Sequence, residues 1–170
     1  MKYDYSAIYN KNAEFLSVRP NAKKAVLLCN ALPYFFALAY MLLWLYGVFE
    51  GEFEPLDFVK IFCAPALALV LVSVLRIAIG RPRPYEEDGA GIIPLKNKES
   101  VQNSFPSRHL TSAAVIAAVT LPYLPAVGGL LFVLTVILGY ARFSLGWHYP
   151  SDLFAGVALG LIIGLAPMFL

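Results

Sequence analysis

The stretch "SFPSRHLTSAAVIAAVTLPYL", residues 104–124, joins a polar start to a long apolar run. Arg108 and His109 stand at the junction, and no charged side chain follows them within the stretch. A charge beside a membrane-type segment is costly and is kept mainly where it serves a function. The stretch therefore predicts a helix that enters a membrane with an ionisable pair at its boundary.

The composition of the chain agrees with this interpretation. Of 170 residues, 59% are hydrophobic and 14% are charged, whereas soluble domains carry about 25% charged residues. We expect an all-α, integral membrane helical bundle that forms a single domain over residues 1–170. The net charge of +2 is too small and too scattered to indicate nucleic-acid binding. The sequence carries no signal for an oligomeric state.

Apolar blocks predict five transmembrane helices, at residues 25–49, 58–79, 108–124, 126–143 and 152–170. Residues 1–24 precede this bundle and predict an amphipathic helix in the membrane interface; a loosely ordered tail is the alternative. The residues near one face of that helix are Tyr5, Ile8, Tyr9, Phe15 and Leu16. Cys29 and Cys63 lie inside apolar blocks and are expected to be packing residues rather than a disulfide or a metal site.

The number of helices predicts where the polar residues meet. The second helix ends and the third begins at one membrane face, and the fourth returns to that face. Both histidines and most of the arginines would therefore gather there. The full set is Arg76, Arg81, Arg83, Arg108, His109, Arg142, His148 and Asp152.

The first polar motif is "RIAIGRPRP", residues 76–84. Arg76 and Arg83 are seven residues apart, which returns to nearly the same helical face. Pro82 and Pro84 end the helix and hold the second arginine near the interface. Guanidinium groups donate paired hydrogen bonds that suit phosphate oxygens. The alternative is a pair of ordinary anchors that reach to the water interface.

The second motif is "PSRH", residues 106–109. Ser107 is placed to cap the following helix, and the backbone N–H groups of a helix start attract anions. His109 lies in the first turn, where an imidazole can donate a proton to a leaving oxygen. The alternative is a capped helix with an incidental interfacial histidine.

The third motif is "ARFSLGWHYPSD", residues 141–152. Arg142 ends one helix, and Asp152 opens the next, four residues after His148. We expect the carboxylate to hydrogen-bond one ring nitrogen of His148, which makes the other nitrogen a better base and nucleophile. The alternative is that Asp152 only caps its helix.

In this order, the three motifs resemble those of the type 2 phosphatidic acid phosphatase superfamily, written KxxxxxxRP, PSGH and SRxxxxxHxxxD. The resemblance covers residues 76–152. It implies a phosphate-binding set consisting of Arg76, Arg83, Ser107, Arg108 and Arg142. It also implies that His148 forms a phosphohistidine, Asp152 orients it and His109 protonates the leaving group. No metal or other cofactor is implied.

Three positions depart from the family pattern. Arg76 replaces the usual lysine, Arg108 the usual glycine and Ala141 the usual serine. None of these changes removes a catalytic group. The side chain of Arg108 is expected either to contact a second phosphate or to pair with an acidic residue in the loop 85–103. That loop is expected to be either a roof over the site or a solvated connector.

The resemblance implies metal-independent hydrolysis of a lipid phosphate or diphosphate in the cell membrane, with undecaprenyl (polyprenyl) diphosphate favoured. Phosphatidylglycerophosphate and phosphatidate are the alternative substrates. A phosphotransferase and a catalytically silent lipid-binding protein would also be compatible with these motifs. The lysines and arginines of residues 1–24 favour a cytoplasmic site by the positive-inside rule, whereas the family resemblance favours the extracytoplasmic face, which we expect.

Overall fold

The protein is a bundle of α-helices, seen here in a computed structural model that describes residues 6–17, 21–51, 53–86 and 103–169. The helices are α1 (Ser6–Ser17), α2 (Asn21–Glu50), α3 (Pro55–Ile79), α4 (Arg108–Thr120), α5 (Pro125–Ser144) and α6 (Pro150–Leu165). Two 3₁₀ turns cover Pro84–Glu86 and Ala166–Phe169. A proline opens α3, α5 and α6, where its missing N–H costs no helical hydrogen bond. The described residues contain no strand, so the expected all-α fold is confirmed.

Among the described residues, four helical segments are long and apolar enough to cross a membrane. They are Lys24–Glu50, Pro55–Glu86, Pro125–Ser144 and Pro150–Met168. Their outer surfaces carry exposed large apolar side chains such as Tyr34, Ile77, Val136 and Phe154. Such a surface belongs in lipid, because water would not tolerate a continuous apolar face of this size. The chain is a multi-pass membrane protein.

The third expected span differs from the others. It is predicted over residues 108–124, but α4 contains 13 residues and is therefore about 20 Å long, less than the ~30 Å of a bilayer core. Most of its side chains are buried, on all sides of the helix. The chain leaves the helix after Thr120, just before Pro122, whose missing N–H cannot continue it. Helix α4 is thus the central helix of the bundle, enclosed by α2, α3, α5 and α6.

Helices α4 and α6 pack against each other more extensively than any other pair in the described part of the bundle. Gly156, Gly160 and Gly164 are spaced four residues apart on α6 and face α4. A β-carbon at Gly160 would lie 2.6 Å from the carbonyl oxygen of Thr111, and one at Gly164 would lie 2.6 Å from Cβ of Ala118. Glycines at this spacing let helix backbones approach closely in membranes. The pair holds the start of α4 against the start of α6.

Helix α1 confirms the prediction of a helix within residues 1–24. Two adjacent residues of this helix, Ile8 and Tyr9, have different surroundings. Ile8 is exposed, whereas Tyr9 is 2% exposed and α1 packs against α2 and α5. The side chains of the other expected face residues, Tyr5, Phe15 and Leu16, lie outside the described part. The placement of α1 in a membrane interface stays a prediction.

The two cysteines are not joined by a disulfide. Cys29 is buried in a cluster with Ala25, Leu145 and Trp147, and Cys63 lies on the exposed side of α3. The cluster also shows that the start of α2 lies beside the end of α5, at the same end of the bundle as the polar motifs.

Candidate active site

The three polar motifs meet at one end of the bundle, as the helix count predicts. Gly80 ends α3 in the left-handed conformation, with φ 57°, which glycine adopts without steric cost. The chain then runs beside the segment before α4, where the Ser104 N–H donates to the Arg81 carbonyl at 2.8 Å. The Ser107 N–H donates to the Asp152 carbonyl at 3.0 Å. These backbone bonds connect the first motif to the residues just before the second motif, and the second motif to the third.

His148 lies in a buried turn between α5 and α6 and is 1% exposed. Gly146 turns the chain with φ 71°, and the Trp147 N–H donates back to the Arg142 carbonyl at 3.2 Å. Nη1 of Arg83 donates to the Trp147 carbonyl at 3.0 Å. The turn that carries His148 is therefore held both by its own helix and by the first motif.

The ring of His148 is oriented by Ser104. Nδ1 of the ring lies 3.0 Å from the Ser104 carbonyl oxygen. A carbonyl oxygen only accepts hydrogen bonds, so Nδ1 carries the proton and Nε2 keeps its lone pair. The carboxylate of Asp152 is 3.6 Å from Nδ1, beyond hydrogen-bond distance. The direct bond expected from the sequence is thus replaced by one to the backbone of Ser104.

Asp152 supports the orientation of the His148 ring indirectly, through Ser104. The Asp152 side chain is fully buried. Its Oδ2 accepts from the Ser104 hydroxyl at 2.5 Å and from the Tyr149 N–H at 3.0 Å. Its Oδ1 accepts from Nη1 of Arg81 at 2.7 Å. The guanidinium of Arg81 also lies over the Tyr149 ring, 4.0 Å from its centroid. A buried carboxylate needs such partners to offset its desolvation.

The surroundings of His148 keep its imidazole neutral. Burial, together with the positive charges of Arg142 and Arg83, lowers the pKa of His148 from 6.5 to about 4. At neutral pH the ring is therefore uncharged, with Nδ1 committed to Ser104. Its Nε2 keeps a lone pair on a ring of fixed orientation, as a base or a nucleophile requires.

Arg142 and Ser107 place polar atoms in this buried region. Arg142 is 1% exposed and Ser107 is fully buried. Within the described residues, Nε and Nη1 of Arg142 and the Ser107 hydroxyl have no hydrogen-bond partner. Ser107 stands at the N-cap position of α4 but makes no capping bond with its side chain. Burying a guanidinium without a partner is costly, so these atoms are placed where an anion could be bound.

The remaining predicted residues lie at the edge of this region. Arg76 is half-buried in the last turn of α3 and donates from Nη1 to the Pro106 carbonyl at 3.0 Å. Arg108 is exposed and His109 partly buried, and both line a cavity of about 320 Å³. Its other walls are largely apolar and include Phe36, Leu69, Ile116 and Leu138. The first turn of α4 thus stands between the buried polar region and an apolar cavity.

Residues 57–168 match the sequence profile of the PAP2 superfamily. The chain belongs to the PAP2 superfamily. The matched part contains all three motifs and the helices α4, α5 and α6. It begins after α1 and α2, so the contacts that these two helices make lie outside the residues matched by the family.

Several proteins resemble this PAP2 chain in sequence. It is 26% identical over 76% of its length to undecaprenyl-diphosphatase BcrC of Bacillus subtilis, of which it covers 64%. It is 33% identical over 54% of its length to a lipid A 1-phosphatase of Rhizobium johnstonii, of which it covers 38%. It is 38% identical over 61% of its length to decaprenylphosphoryl-5-phosphoribose phosphatase of Mycobacterium tuberculosis, of which it covers 52%. The chain spans about half the length of these relatives.

Two solved structures share the PAP2 architecture. LpxE of Aquifex aeolicus has a TM-score of 0.57 and 28% identity, covering 87% of this chain and 94% of its own. A transmembrane PAP2-type phosphatidylglycerolphosphate phosphatase of Bacillus subtilis has a TM-score of 0.68 and 23% identity, covering 96% of this chain and 82% of its own. The second likeness concerns the fold alone.

Two residues of this PAP2 site were missed as site residues by sequence reasoning. Ser104 contacts both His148 and Asp152, and Arg81 pairs with Asp152. Both stand next to recognised motifs, Ser104 two residues before "PSRH" and Arg81 inside "RIAIGRPRP". Their position in those stretches was the available signal, but spacing alone does not show which atoms they contact.

The loop 85–103, which was expected to roof the site, falls largely outside the described residues. The described part of the chain stops at residue 86 and continues from residue 103. Pairing of Arg108 with Glu87 or Asp88 also falls outside them. Glu86 is described, and its carboxylate accepts from the Arg83 N–H at 2.9 Å. In the parts of the chain that are described, no group of three or more His, Cys, Asp or Glu residues is arranged to hold a metal ion.

Proposed function

We propose that this protein hydrolyses a lipid phosphate or diphosphate through a phosphohistidine on His148. The observation that carries the proposal is the state of that ring. It is buried and neutral, its Nδ1–H is committed to Ser104, and its Nε2 lone pair stands in a region with the guanidinium of Arg142. A nucleophile beside buried positive charge is what phosphoryl transfer requires, since the charge of the transferred group must be stabilised.

The reaction has two steps. In the first, Nε2 attacks phosphorus, a P–N bond forms, the bond between phosphorus and the lipid-side oxygen breaks, and His109 gives that oxygen a proton. In the second, His109 takes a proton from water, whose oxygen attacks phosphorus. The P–N bond breaks and phosphate is released. Arg76, Arg83, Arg142 and the Ser107 hydroxyl bind the phosphoryl oxygens, and Asp152 acts through Ser104.

The cavity beside His109 supports a lipid as the substrate. His109 and Arg108 lie at its polar part, and its apolar walls come from α2, α3, α4 and α5. The leaving oxygen must lie near the proton donor, so the chain attached to that oxygen would enter this cavity. A lipid chain fits such walls, whereas a soluble sugar or nucleotide phosphate would leave its hydroxyl groups without partners.

Within this class we propose undecaprenyl diphosphate as the substrate and the extracytoplasmic face of the cell membrane as the location of the site. The similarity to BcrC of Bacillus subtilis supports this substrate, because it extends over 76% of the chain. The exposed side chain of Arg108 also supports it, since a guanidinium at the edge of the site suits a second phosphate.

The decisive experiment measures phosphate release by the purified protein in detergent. The substrates are undecaprenyl diphosphate, phosphatidylglycerophosphate and phosphatidate, each with and without EDTA. We expect release that EDTA leaves unchanged and vanadate inhibits, because vanadate mimics five-coordinate phosphorus. His148→Gln should abolish turnover, and the matched control Tyr140→Phe, an exposed position on α5, should not. Activity that EDTA removes and magnesium restores, or turnover by His148→Gln, would contradict the mechanism.

Arg108→Gly tests the substrate. Losing one charge-assisted contact costs about 1.5–3 kcal/mol, or roughly ten- to a hundredfold in rate. We expect that loss on undecaprenyl diphosphate and little change on phosphatidate, which carries a single phosphate. Equal effects on both would argue against the diphosphate and in favour of phosphatidylglycerophosphate or phosphatidate. Phosphate release from none of the lipids would favour a silent lipid-binding protein.

A further inference from the structure

Two consecutive backbone carbonyls in the His148 turn are held from outside the turn. Nη1 of Arg83 donates to the carbonyl of Trp147 at 3.0 Å. The hydroxyl of Tyr9 donates to the carbonyl of His148 itself at 2.7 Å. Both donor side chains are 2% exposed, so these bonds are shielded from water and stronger than surface bonds. Arg83 belongs to a family motif, whereas Tyr9 does not.

Tyr9 comes from α1, which is 139 positions away in the chain. Its ring packs against Phe143 with ring centroids 4.9 Å apart, so the residue contacts the end of α5 as well as the turn. The PAP2 match begins at residue 57, well after α1. The contact is therefore a feature of this chain that the family motifs do not contain.

We propose that Tyr9 is a positioning residue for His148, and that α1 belongs to the working site rather than only to the membrane surface. This inference rests on the proposed function of His148 as the nucleophile. Residue 148 is held at two points, its ring by the Ser104 carbonyl and its own carbonyl by the Tyr9 hydroxyl. Together these two bonds restrict where Nε2, the other nitrogen of the ring, can lie.

The turn needs this second anchor because of its own sequence. Gly146 at φ 71° lies two residues before His148, and glycine restricts the backbone less than any other residue. Without the Tyr9 bond, the peptide that joins His148 to Tyr149 would keep only the hydrogen bond from the Tyr149 N–H to Oδ2 of Asp152, and its carbonyl would have lost its buried donor. A displacement of about 1 Å in a reacting atom can reduce a rate by as much as a hundredfold.

Tyr9→Phe tests the proposal, because it removes the hydroxyl and keeps the ring against Phe143. The matched control is Tyr140→Phe, the same chemical change at an exposed tyrosine. We expect Tyr9→Phe to lower kcat roughly tenfold with KM within about twofold, since the phosphate-binding arginines are untouched. Tyr140→Phe should leave both values unchanged.

Hydrogen exchange measured by mass spectrometry supplies a readout that needs no substrate. We expect faster exchange in peptides covering residues 142–153 in Tyr9→Phe, and unchanged exchange there in Tyr140→Phe. Unchanged kcat together with unchanged exchange would overturn the inference, and so would an equal loss of kcat in both variants. A wild-type protein that releases phosphate from no lipid would overturn the proposed function instead, while the exchange result would still decide whether Tyr9 holds the turn.

Discussion

Ser104 uses two oxygen atoms for two different members of the site. Its backbone carbonyl accepts from Nδ1 of His148, and its hydroxyl donates to Oδ2 of Asp152. The carboxylate is therefore hydrogen-bonded to the imidazole only by way of a serine, although it also lies 3.6 Å from Nδ1. The carbonyl sets the tautomer, and the hydroxyl fixes the backbone position of that carbonyl.

Ser104→Ala keeps the carbonyl and removes the hydroxyl. We expect kcat to fall about tenfold, the equivalent of about 1.4 kcal/mol, which is near the contribution of a hydrogen bond to a charged group. Loss of His148 should cost far more. The matched control is Ser73→Ala, which removes a hydroxyl bonded to the Leu69 carbonyl within α3. Phosphate-release kinetics that do not distinguish Ser104→Ala from Ser73→Ala would show that the Ser104 hydroxyl has no such role.

The lowered pKa of His148 predicts a dependence of stability on pH. The unfolded histidine takes up a proton below about 6.5, whereas burial and the neighbouring arginines delay this to about pH 4 in the folded protein. The unfolded state therefore binds more protons between these values, and stability falls as pH decreases through that window by on the order of 1 kcal/mol per pH unit. Well above pH 6.5, where the ring is neutral in both states, His148 contributes no pH dependence.

His148→Gln removes this proton uptake and serves as the reference. We expect the Tm difference between wild type and His148→Gln, measured in detergent, to shift against the wild type as the pH is lowered from 7 to 4.5. A difference that stays constant over this range would show that His148 titrates alike in both states.

At the scale of the elements, the site depends on the close pairing of α4 and α6. Ser107 precedes α4, and Asp152 lies in the first turn of α6. The glycines of α6 bring the two backbones together along their length, from Gly156 beside the Ser107 carbonyl onward. Packing of small residues thus sets the separation between the second and third motifs.

Gly160→Ala should disturb this pairing. Its β-carbon would lie 2.6 Å from the Thr111 carbonyl oxygen and 2.8 Å from Cβ of Ala114, so the helices must move apart. We expect a loss of about 1–3 kcal/mol in stability, typical of overpacking, seen as a lower Tm together with a lower kcat. Gly129→Ala on α5 is the control, since a β-carbon at that position would have no neighbouring atom within 4 Å. Equal Tm values for Gly160→Ala and Gly129→Ala would contradict the packing argument.

At the scale of the whole molecule, the polar motifs and the N-terminal helix lie at the same end of the bundle. The Tyr9 bond to His148 and the contact of Ala25 with Trp147 place α1 and the start of α2 there. The acidic turn between α2 and α3 lies at the opposite end, where the Tyr123 hydroxyl donates to Asp57 at 2.8 Å. This agrees with the arrangement predicted from the helix count.

Single cysteines introduced after Cys29→Ala and Cys63→Ala test this arrangement with an impermeant maleimide. Lys11→Cys and Ser151→Cys are exposed positions near the site, and we expect both to be labelled in intact cells if the site is extracytoplasmic. Glu54→Cys at the other end should be labelled only after permeabilisation. Labelling of Lys11→Cys and Ser151→Cys from opposite faces would contradict the fold, and labelling of both only after permeabilisation would place the site in the cytoplasm.

Much of this protein follows from the sequence because local chemistry decides it. Apolar blocks specify a membrane bundle, since backbone groups in lipid must be paired within helices. The spacing of Arg76 and Arg83 and of His148 and Asp152 identifies the motifs, and the order of the helices brings them to one end. Each of these conclusions depends on residues that are near one another in the chain.

Tertiary structure decided what depends on distances between helices. The glycines of α6 let the short, buried helix α4 pack directly against it, and Ser104 rather than Asp152 accepts the hydrogen bond from Nδ1 of His148. Tyr9 reaches the His148 carbonyl from 139 positions away. A hydrogen bond forms or is lost within a few tenths of an ångström, and separations that small are set only when the packed helices bring distant parts of the chain together.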